Sequence, residues 1–354
     1  MYPDLIYIKL TNNMFPEKVV GSVNLQTGES VPPDYAKEAI LACATKEERE
    51  LVRDNIQNIY AIADEIYERS KKSDKKIVIL LDELLNVKPA VQSLVYTLVL
   101  NRLVEIGKGL KLPNNVVIVA TGNQKKYSSV SNDLSEPLEK RIDHIFDMRP
   151  KVGEWLSEYA IPKNIHPAVI GYIMTKYQEA SKSEEIDKMG YFYEEPEVGE
   201  SKLDEYNCKG RTNDPRGWVS VSDTLYAFEE KLAQGAYIGK NVEYILEMSL
   251  NTKLRHEWAT DFINFYNIPV LIVDDIVNNT YTEDDLPENI SERFACISSL
   301  LSASIDEVEA VRNFIREKIG AEYLKTFDMC WVCDDKERML KLQELKAKEK
   351  VRTK

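Results

Sequence analysis

The sequence lacks several features that would assign a chain to a class at once. No stretch of it approaches eighteen consecutive apolar residues, and the opening MYPDLIYIKL has no basic region followed by an apolar core. We therefore expect neither a membrane span nor a signal peptide. Histidine is scarce: His144, His166 and His256 are far apart, and nothing around them marks a nucleophile, a base and an orienting group.

Cysteines are few, and acidic residues outnumber basic residues by 59 to 46. The five cysteines are odd in number and scattered, which fits a reducing cytoplasm. Cys330 and Cys333 form a lone C-x-x-C pair, and two ligands without a second pair do not make a zinc site. The net charge of −13 argues against broad binding to a nucleic-acid backbone, although it leaves room for a local basic groove.

The length and the composition indicate a helix-rich globular chain of two or three domains. Its 354 residues can bury a sizeable core, and 14 glycines and 14 prolines are too few for a disordered or fibrous protein. Strand and helix patterns alternate over residues 1–150, which predicts an α/β fold. Strand signals then fade, and we expect a helical lid over 151–240 with an acidic loop at 184–215, followed by a helical extension over 241–354.

The predicted elements of the first 150 residues follow hydrophobic periodicity. A strand is predicted over LIYIKL (5–10) and a helical insertion over 36–72. Two buried strands follow at Ile77–Leu81 and Val116–Thr121, with a helix and a hairpin-like connection between them. The segment 134–150 predicts a helix that carries Arg141 and then a short strand around Ile145–Met148. In the second half, IPVLIVDDIV (268–277) fits either a helix or a strand, and the tail 334–354 predicts a helix that frays.

The decapeptide KKIVILLDEL (75–84) runs from a buried strand straight into two acids, Asp82 and Glu83. Parallel sheets bind ligands at the carboxyl ends of their strands. Adjacent residues of a strand project to opposite faces, so one acid could hold a Mg²⁺-bound water while the other polarises an attacking water. The alternative is a strand end with two solvated acids, and this decapeptide alone does not decide between them.

Four segments in order resemble the motifs of a known family. IVILLDEL, VIVATGN, EPLEKRIDHI and NDPRGWVSVSD are similar to the Mg-binding motif, sensor 1, arginine finger and sensor 2 of AAA+ ATPases. The likeness is to the MoxR-like branch, often found in bacterial and phage genomes, and it covers roughly residues 5–225. It implies an AAA+ type parallel sheet flanked by helices, then a helical lid and a mostly helical C-terminal extension.

The resemblance assigns a role to five residues. Asp82 would hold Mg²⁺ through water, Glu83 would orient and polarise the hydrolytic water, and Asn123 would help to place that water against the γ-phosphate. Arg141 would reach into a neighbouring subunit's site, where such arginine fingers are worth about 10³ to 10⁵ in rate in related chemistry. Arg216 would contact the phosphates within its own subunit. Taken singly, Asn123 is a turn residue and each arginine a surface charge.

The same resemblance implies cofactors and partners. ATP and Mg²⁺ would be the cofactors, and ATP hydrolysis would drive chaperone-like remodelling or assembly of a protein client. The subunits would form a homo-oligomeric ring, expected to be a hexamer, because an arginine finger acts only across an interface. The family often works beside proteins with a von Willebrand A-type domain, so such a partner is implied as well.

The chain departs from the family at the phosphate loop. It contains no G-x-x-x-x-G-K-[ST], and the nearest approach is GAYIGKN (235–241). In the family this loop precedes the strand that LIYIKL resembles, so we expect the chain to begin after the first strand, the loop and the first helix. That first strand lies between the sensor 1 strand and the arginine-finger strand, and its absence predicts a gap with unpaired backbone groups.

Three hypotheses follow. The first is a MoxR-like ATPase whose N-terminal phosphate-binding part is missing. The second is a degenerate, nucleotide-free AAA+ scaffold or adaptor subunit. The five retained site residues count against it, because a scaffold that binds no nucleotide has no use for them. The third is a nucleic-acid processing factor, which the acidic balance and the lack of a basic stripe with interleaved aromatics disfavour.

Overall fold

The computed structural model describes residues 4–11, 14–104, 109–124, 131–181, 190–194, 213–333 and 335–352. The chain divides into two compact units, one of residues up to Asp147 and one of residues from Met148 onward. Most of the predicted acidic loop 184–215 lies outside the described residues. Within the described part, no helix is both long enough and apolar enough to cross a bilayer.

The first unit is an α/β unit. Its elements are β1 (Asp4–Lys9), α1 (Glu17–Val20), β2 (Ser22–Val23), β3 (Ser30–Val31), α2 (Asp34–Cys43), α3 (Lys46–Asp54), α4 (Asn58–Ser70), β4 (Ile77–Asp82), α5 (Pro89–Leu94), α6 (Tyr96–Asn101), β5 (Leu103–Val104), β6 (Leu110–Lys111), β7 (Val116–Ala120) and α7 (Glu136–Glu139).

A parallel sheet of three strands forms the centre of this unit, in the order β1-β4-β7. Its register aligns Ile6 with Ile79 and Ile118 across the three strands. The short strands β2 and β3, and likewise β5 and β6, pair as antiparallel hairpins. The predicted α/β class with a parallel sheet and the hairpin after the second helix are therefore confirmed.

One face of the sheet is covered by helices. Ile6, Ile77, Ile79 and Leu81 on that face are at most 7% exposed and share a core with residues of α2, α4, α5 and α6. The alternation of buried and half-buried residues along β4 shows that its two faces meet different surroundings. A strand packed by helices on both faces would be buried throughout.

The insertion predicted over 36–72 is helical but consists of three helices. The backbone is extended at Ala44 and again at Asn55, which separates α2 from α3 and α3 from α4. Thr45 caps α3 in a capping box with Glu48. Arg69 of α4 then binds Glu48 at 2.7 Å, which ties α4 to the start of α3.

The strand predicted around Ile145–Met148 is wrong, and of the helix predicted before it only α7 forms, which ends before Arg141. Residues 144–150 form no regular structure, and Ile145, Phe146 and Met148 are 63% to 85% exposed. Among the described strands, none pairs with this segment. A strand needs a neighbour for its backbone groups, so an apolar run without one stays irregular.

Among the described residues of the second unit, helices joined by turns and irregular segments are the regular structure. Its helices are α8 (Val152–Trp155, continuing as a π-helix to Ala160), α9 (Pro167–Ala180), α10 (Pro215–Ala233), α11 (Val242–Asn251), α12 (His256–Tyr266), α13 (Val273–Asn278), α14 (Ile290–Leu300), α15 (Val308–Phe314, continuing as a π-helix to Ile319), α16 (Ala321–Val332) and α17 (Lys336–Arg352).

Two uncertain segments of the sequence are settled in this unit. The run 268–277 is irregular at first and becomes helical at α13, so it is not a strand. The tail forms α17, which packs through the buried Leu342 and Leu345. Glu349 near its end accepts hydrogen bonds from Arg312 and Arg316. The tail is thus anchored on α15 and the turns that follow it.

Candidate functional site

The site begins where the three parallel strands end. Lys9 at the end of β1 is the register partner of Asp82 at the end of β4. Thr121 follows β7 directly, and its backbone N–H donates to the carbonyl of Leu81 at 3.0 Å. Side chains alternate along a strand, so Lys9, Asp82 and Thr121 form a row on the face opposite the helix-covered core.

Asp82 is held at both carboxylate oxygens. The hydroxyl of Thr121 donates to Oδ1 at 2.5 Å, and the hydroxyl of Tyr7 donates to Oδ2 at 2.7 Å. The bond from Thr121 and then the bond from Tyr7 lower the pKa of Asp82, while the same Asp82 raises the pKa of Tyr7. Asp82 is therefore an oriented carboxylate whose oxygens keep lone pairs for a further donor or ion.

Glu83 occupies an unusual backbone conformation. Its φ of 61° and ψ of 40° lie in the left-handed region, which few residues other than glycine adopt. Asn86 donates to its Oε2 at 2.7 Å, and the ammonium of Lys9 lies 3.8 Å from its Oε1. Such a backbone conformation persists only where the surrounding packing maintains it, and it is found often at functional sites.

Thr121 links the two acids through one hydroxyl. Its Oγ donates to Asp82 and accepts the backbone N–H of Glu83 at 3.2 Å. Its carbonyl accepts the N–H of Leu84 at 2.8 Å, so the chain after β4 is fastened to the end of β7. The orientation of Asp82 and the turn at Glu83 therefore both depend on Thr121.

Gly122 allows β7 to end close to the acid-bearing turn. A Cβ on this residue would lie 2.8 Å from Cγ of Leu85 and 3.2 Å from its backbone nitrogen. No side chain fits there without displacing the turn. Asn123 follows and is exposed at the same edge of the sheet as Asp82 and Glu83.

Arg141 lies just after α7 and folds back onto its own unit. Its guanidinium stacks over the ring of Tyr96 with 5.1 Å to the ring centroid, and it donates to the carbonyl of Pro137. Its Nε is buried and has no hydrogen-bond partner among the described residues. These contacts hold Arg141 within its unit.

Arg216 lies in the second unit, near the start of α10. The helix begins at Pro215, as the sequence predicts, and Asp214 caps it by accepting the N–H of Gly217 at 2.6 Å. The Arg216 side chain is exposed. The structure thus brings Asp82, Glu83 and Asn123 to one edge of the sheet and places Arg216 in the other unit.

Four side chains of this edge were missed by sequence reasoning: Tyr7, Lys9, Asn86 and Thr121. A signal for two of them exists in LIYIKL, where Tyr7 and Lys9 alternate and so share one face of a strand. The pairing of β1 with β4 brings that face to Asp82. The contact of Thr121 with Asp82 depends on tertiary structure, whereas Asn86 bonds Glu83 within the same turn. No pattern in the sequence marks either contact.

Asp82 and Glu83 are the carboxylates at this edge that could contribute to holding a magnesium ion. Mg²⁺ is bound through one or two carboxylates, several waters and substrate phosphates, and not by a cage of protein ligands. Within the described ranges, no group of three or more His, Cys, Asp or Glu side chains could hold a metal on its own. Asp82, ionised and oriented, suits an ion held through water.

Comparisons with known proteins add no identification. No protein-family model, no curated protein and no solved structure matches this chain. A function is therefore inferred from the residues at the carboxyl edge of the sheet, their geometry and the order of the four motifs.

Proposed function

We propose that this chain is a subunit of a MoxR-like AAA+ ATPase that binds Mg·ATP at the carboxyl edge of its parallel sheet. The observation that carries the proposal is Asp82, held by the hydroxyls of Thr121 and Tyr7, next to Glu83 at a strained turn. A merely solvated acid would not need the two hydroxyl donors that orient Asp82. Hydrolysis would be coupled to remodelling of a protein partner.

Asp82 would act as the acceptor for a water bound to Mg²⁺. Its lowered pKa keeps it ionised well below neutral pH, and the bonds from Thr121 and Tyr7 fix the direction of its remaining lone pairs. Lys9 would lie near the phosphate charge and balance it. The bound ion supplies the positive charge that neutralises developing charge on the transferred phosphoryl group.

Glu83 would take a proton from the attacking water. Asn86 already donates to one of its oxygens at 2.7 Å and leaves the other near Lys9, so its carboxylate has a defined orientation. Asn123, exposed at the same edge, would help to position the water. A positioned general base of this kind contributes about 10² to 10⁴ in rate.

The two arginines would complete the site in an assembled ring. Arg141 would leave Tyr96 to reach the γ-phosphate of a neighbouring subunit, and its buried Nε, without a described partner here, would gain one. Arg216, exposed near the start of α10, would contact the phosphates of its own subunit. Both roles are proposals from the family resemblance and the order of the motifs.

ATP turnover by a protein that joins this chain to an upstream phosphate-binding loop, unaltered and as variants, tests the proposal. Glu83→Gln keeps the shape of the side chain but removes the base, so turnover in the presence of Mg²⁺ should fall by about 10² to 10⁴. Glu50→Gln, a matched change on the exposed surface of α3, should leave turnover unchanged. Equal turnover in Glu83→Gln and the unaltered chain would contradict a catalytic role for Glu83.

A second candidate is a nucleotide-free scaffold subunit of a ring. The observation in its favour is the lack of a G-x-x-x-x-G-K-[ST] motif in the 354 residues, because that loop supplies most of the contacts to phosphate in related enzymes. Absence of nucleotide binding to the unaltered chain at millimolar Mg·ATP would favour the scaffold. Binding that depends on Asp82 would exclude it.

A further inference from the structure

Residues 131–135 are fastened to the turn that follows Glu83. The backbone N–H of Asn132 donates to the carbonyl of Leu85 at 2.7 Å, and its side-chain amide donates to the carbonyl of Val87 at 3.0 Å. These bonds join positions that are 47 and 45 residues apart in the sequence. The two segments therefore form one tertiary contact beside the candidate base.

A buried glutamine of α5 strengthens this contact. Gln92 has no exposed surface, and its side-chain oxygen accepts the N–H of Ser135 at 3.1 Å. Its amide nitrogen donates to the carbonyl of Asp133 at 3.3 Å. Buried polar groups are costly unless they are paired, so these bonds favour one placement of residues 131–135. The segment is thus held at several points that do not involve Glu83.

Ser131 begins a chain of two hydrogen bonds that ends at Glu83. Its hydroxyl donates to Oδ1 of Asn86 at 3.0 Å, and Nδ2 of Asn86 donates to Oε2 of Glu83 at 2.7 Å. Ser131 is 5% exposed, so water does not readily take the place of its hydroxyl. An amide that accepts at one end and donates at the other is polarised by both neighbours, which strengthens both bonds.

The direction of the Glu83 carboxylate depends on this chain. Among the described residues, Asn86 supplies its only hydrogen bond, because the ammonium of Lys9 lies 3.8 Å from Oε1, too far for one. The last torsion of an asparagine side chain has a broad distribution, so one bond to a partly exposed carboxylate does not fix the amide. The bond from Ser131 supplies the second anchor.

We propose that Ser131 is a positioning residue for Glu83, which it reaches through the amide of Asn86. The inference rests on the proposed function, in which Glu83 takes a proton from the attacking water. A base acts only when its lone pair points at that water, and small misplacements of reacting groups cost up to about 10² in rate. Loss of Ser131 therefore slows the chemical step and leaves the binding of Mg·ATP, which depends on Asp82, unchanged.

Hydrogen exchange tests the arrangement in the full chain without nucleotide. NMR follows the exchange of the two Nδ2 protons of Asn86 with solvent. Ser131→Ala removes the anchor, so we expect about tenfold faster exchange, as for the loss of one hydrogen bond. Ser131→Thr keeps the hydroxyl and should exchange as the unaltered chain does. Ser93→Ala, which removes an exposed hydroxyl of α5, is the matched control. Equal exchange in Ser131→Ala and the unaltered chain would overturn the proposal.

Turnover separates positioning from a purely structural role. In the protein joined to an upstream phosphate-binding loop, Ser131→Ala should lower kcat by about 10- to 100-fold with KM unchanged. Ser131→Thr should restore kcat, and Ser93→Ala should not alter it. The N–H of Asn132 should stay protected from exchange in Ser131→Ala, because its bond to Leu85 and the bonds of Gln92 remain. Loss of that protection, or a rise in KM in place of the fall in kcat, would show that Ser131 only holds the segment together and would overturn the proposal.

Failure of this inference and failure of the proposed function are distinguishable. Equal kcat in Ser131→Ala and the unaltered joined protein, at measurable turnover, overturns the inference and leaves the proposed function in place. Absence of turnover in the unaltered joined protein overturns the proposed function and this inference with it. A fall in kcat that Ser131→Thr reverses supports both.

Discussion

Thr121 is the side chain on which the geometry of both acids depends. Its hydroxyl donates to Asp82 and accepts the backbone N–H of Glu83, so its loss would disturb the carboxylate and the turn together. Because it would act through Asp82 and Glu83, it is a positioning residue. Valine has the same shape without the hydroxyl, and serine keeps the hydroxyl, which gives a matched pair of variants.

We expect Thr121→Val to raise the pKa of Asp82 toward the ordinary range. The bond from Thr121 is the largest cause of the lowered pKa, and the bond from Tyr7 is the next. Thr121→Ser should keep the pKa low, and Tyr7→Phe should raise it less than Thr121→Val does. The pKa is measured by NMR titration of the side-chain carboxyl. An unchanged pKa in Thr121→Val would contradict the hydrogen-bond assignment.

The hydrogen bond from Thr121 to Asp82 should also affect how the free energy of unfolding changes at acid pH. The pKa of Asp82 is lower in the folded state than in the unfolded state. Its contribution to the free energy of unfolding is therefore present above the unfolded pKa, about 3.9, and is lost as the pH falls through the folded pKa. Chemical denaturation between about pH 5 and pH 2 should show a shallower loss in Thr121→Val than in Thr121→Ser.

Sequence reasoning found the acids of this edge but not their partners. Asp82 and Glu83 follow an unbroken apolar run, which marks them without any structure. Thr121 also ends a strand, yet its contact with Asp82 depends on the pairing of β4 with β7. Contacts that are distant in sequence and local in space leave no periodic signal, so these partners could not be predicted.

Among the elements, α9 and α14 pack closely through a glycine. A Cβ on Gly171 would overlap Oγ of Ser298 and lie 3.1 Å from the carbonyl oxygen of Phe294. Gly171→Ala should force the two helices apart and destabilise the helical unit by about 1–3 kcal/mol. Denaturant unfolding followed by circular dichroism measures the change.

A second glycine provides the control for that variant. Among the described residues, a Cβ on Gly153, in α8, would have only the hydroxyl of Tyr177 within 4 Å, at 3.9 Å. Gly153→Ala should stabilise by up to about 1 kcal/mol, because alanine restricts the unfolded chain and favours a helix. Equal effects of the two substitutions would show that the α9–α14 contact is not tight.

The docking of α17 depends on a buried ion pair. Arg312 is 2% exposed, and its guanidinium binds both oxygens of Asp328, at 2.8 and 3.2 Å, and Glu349 of α17 at 3.0 Å. Arg312→Met would leave the buried Asp328 with Lys346 alone, at 3.1 Å. We expect a loss of about 3–5 kcal/mol in the free energy of unfolding.

A double variant checks that the cost comes from burying Asp328 without Arg312. Adding Asp328→Leu to Arg312→Met removes the buried charge, so stability should recover in part. Denaturant midpoints of the single and double variants give the coupling energy. Additive losses would contradict the assignment of the energy to this pair.

Strand prediction failed where the neighbouring strand was not available. Ile145–Met148 has an apolar pattern, as β7 does, yet only β7 has a partner among the described strands. Apolar periodicity indicates what a segment would bury, whereas pairing decides whether it becomes a strand. The helices of the second unit were predicted more fully, because a helix satisfies its own backbone groups.

Across the whole molecule, each unit has a hydrophobic core of its own. The core of the first contains the covered face of the sheet, and the core of the second contains Trp218, Phe262 and Trp331. We expect calorimetry to resolve two unfolding transitions, because a domain with its own core unfolds as a cooperative unit. Gly171→Ala should lower the temperature of one transition only. A single transition that shifts as a whole would contradict two independent units.

Binding of a paramagnetic ion with ATP tests the central claim most directly. Mn²⁺ replaces Mg²⁺, and electron paramagnetic resonance measures ion binding to the full chain with and without ATP. We predict ATP-dependent binding that Asp82→Asn weakens by about 10- to 100-fold, as expected for a group that holds the ion through water. Asp54→Asn, at the exposed end of α3, should bind as the unaltered chain does. Equal binding by Asp82→Asn, or no ATP-dependent binding in any of the three proteins, would contradict a Mg·ATP site at Asp82 and Glu83.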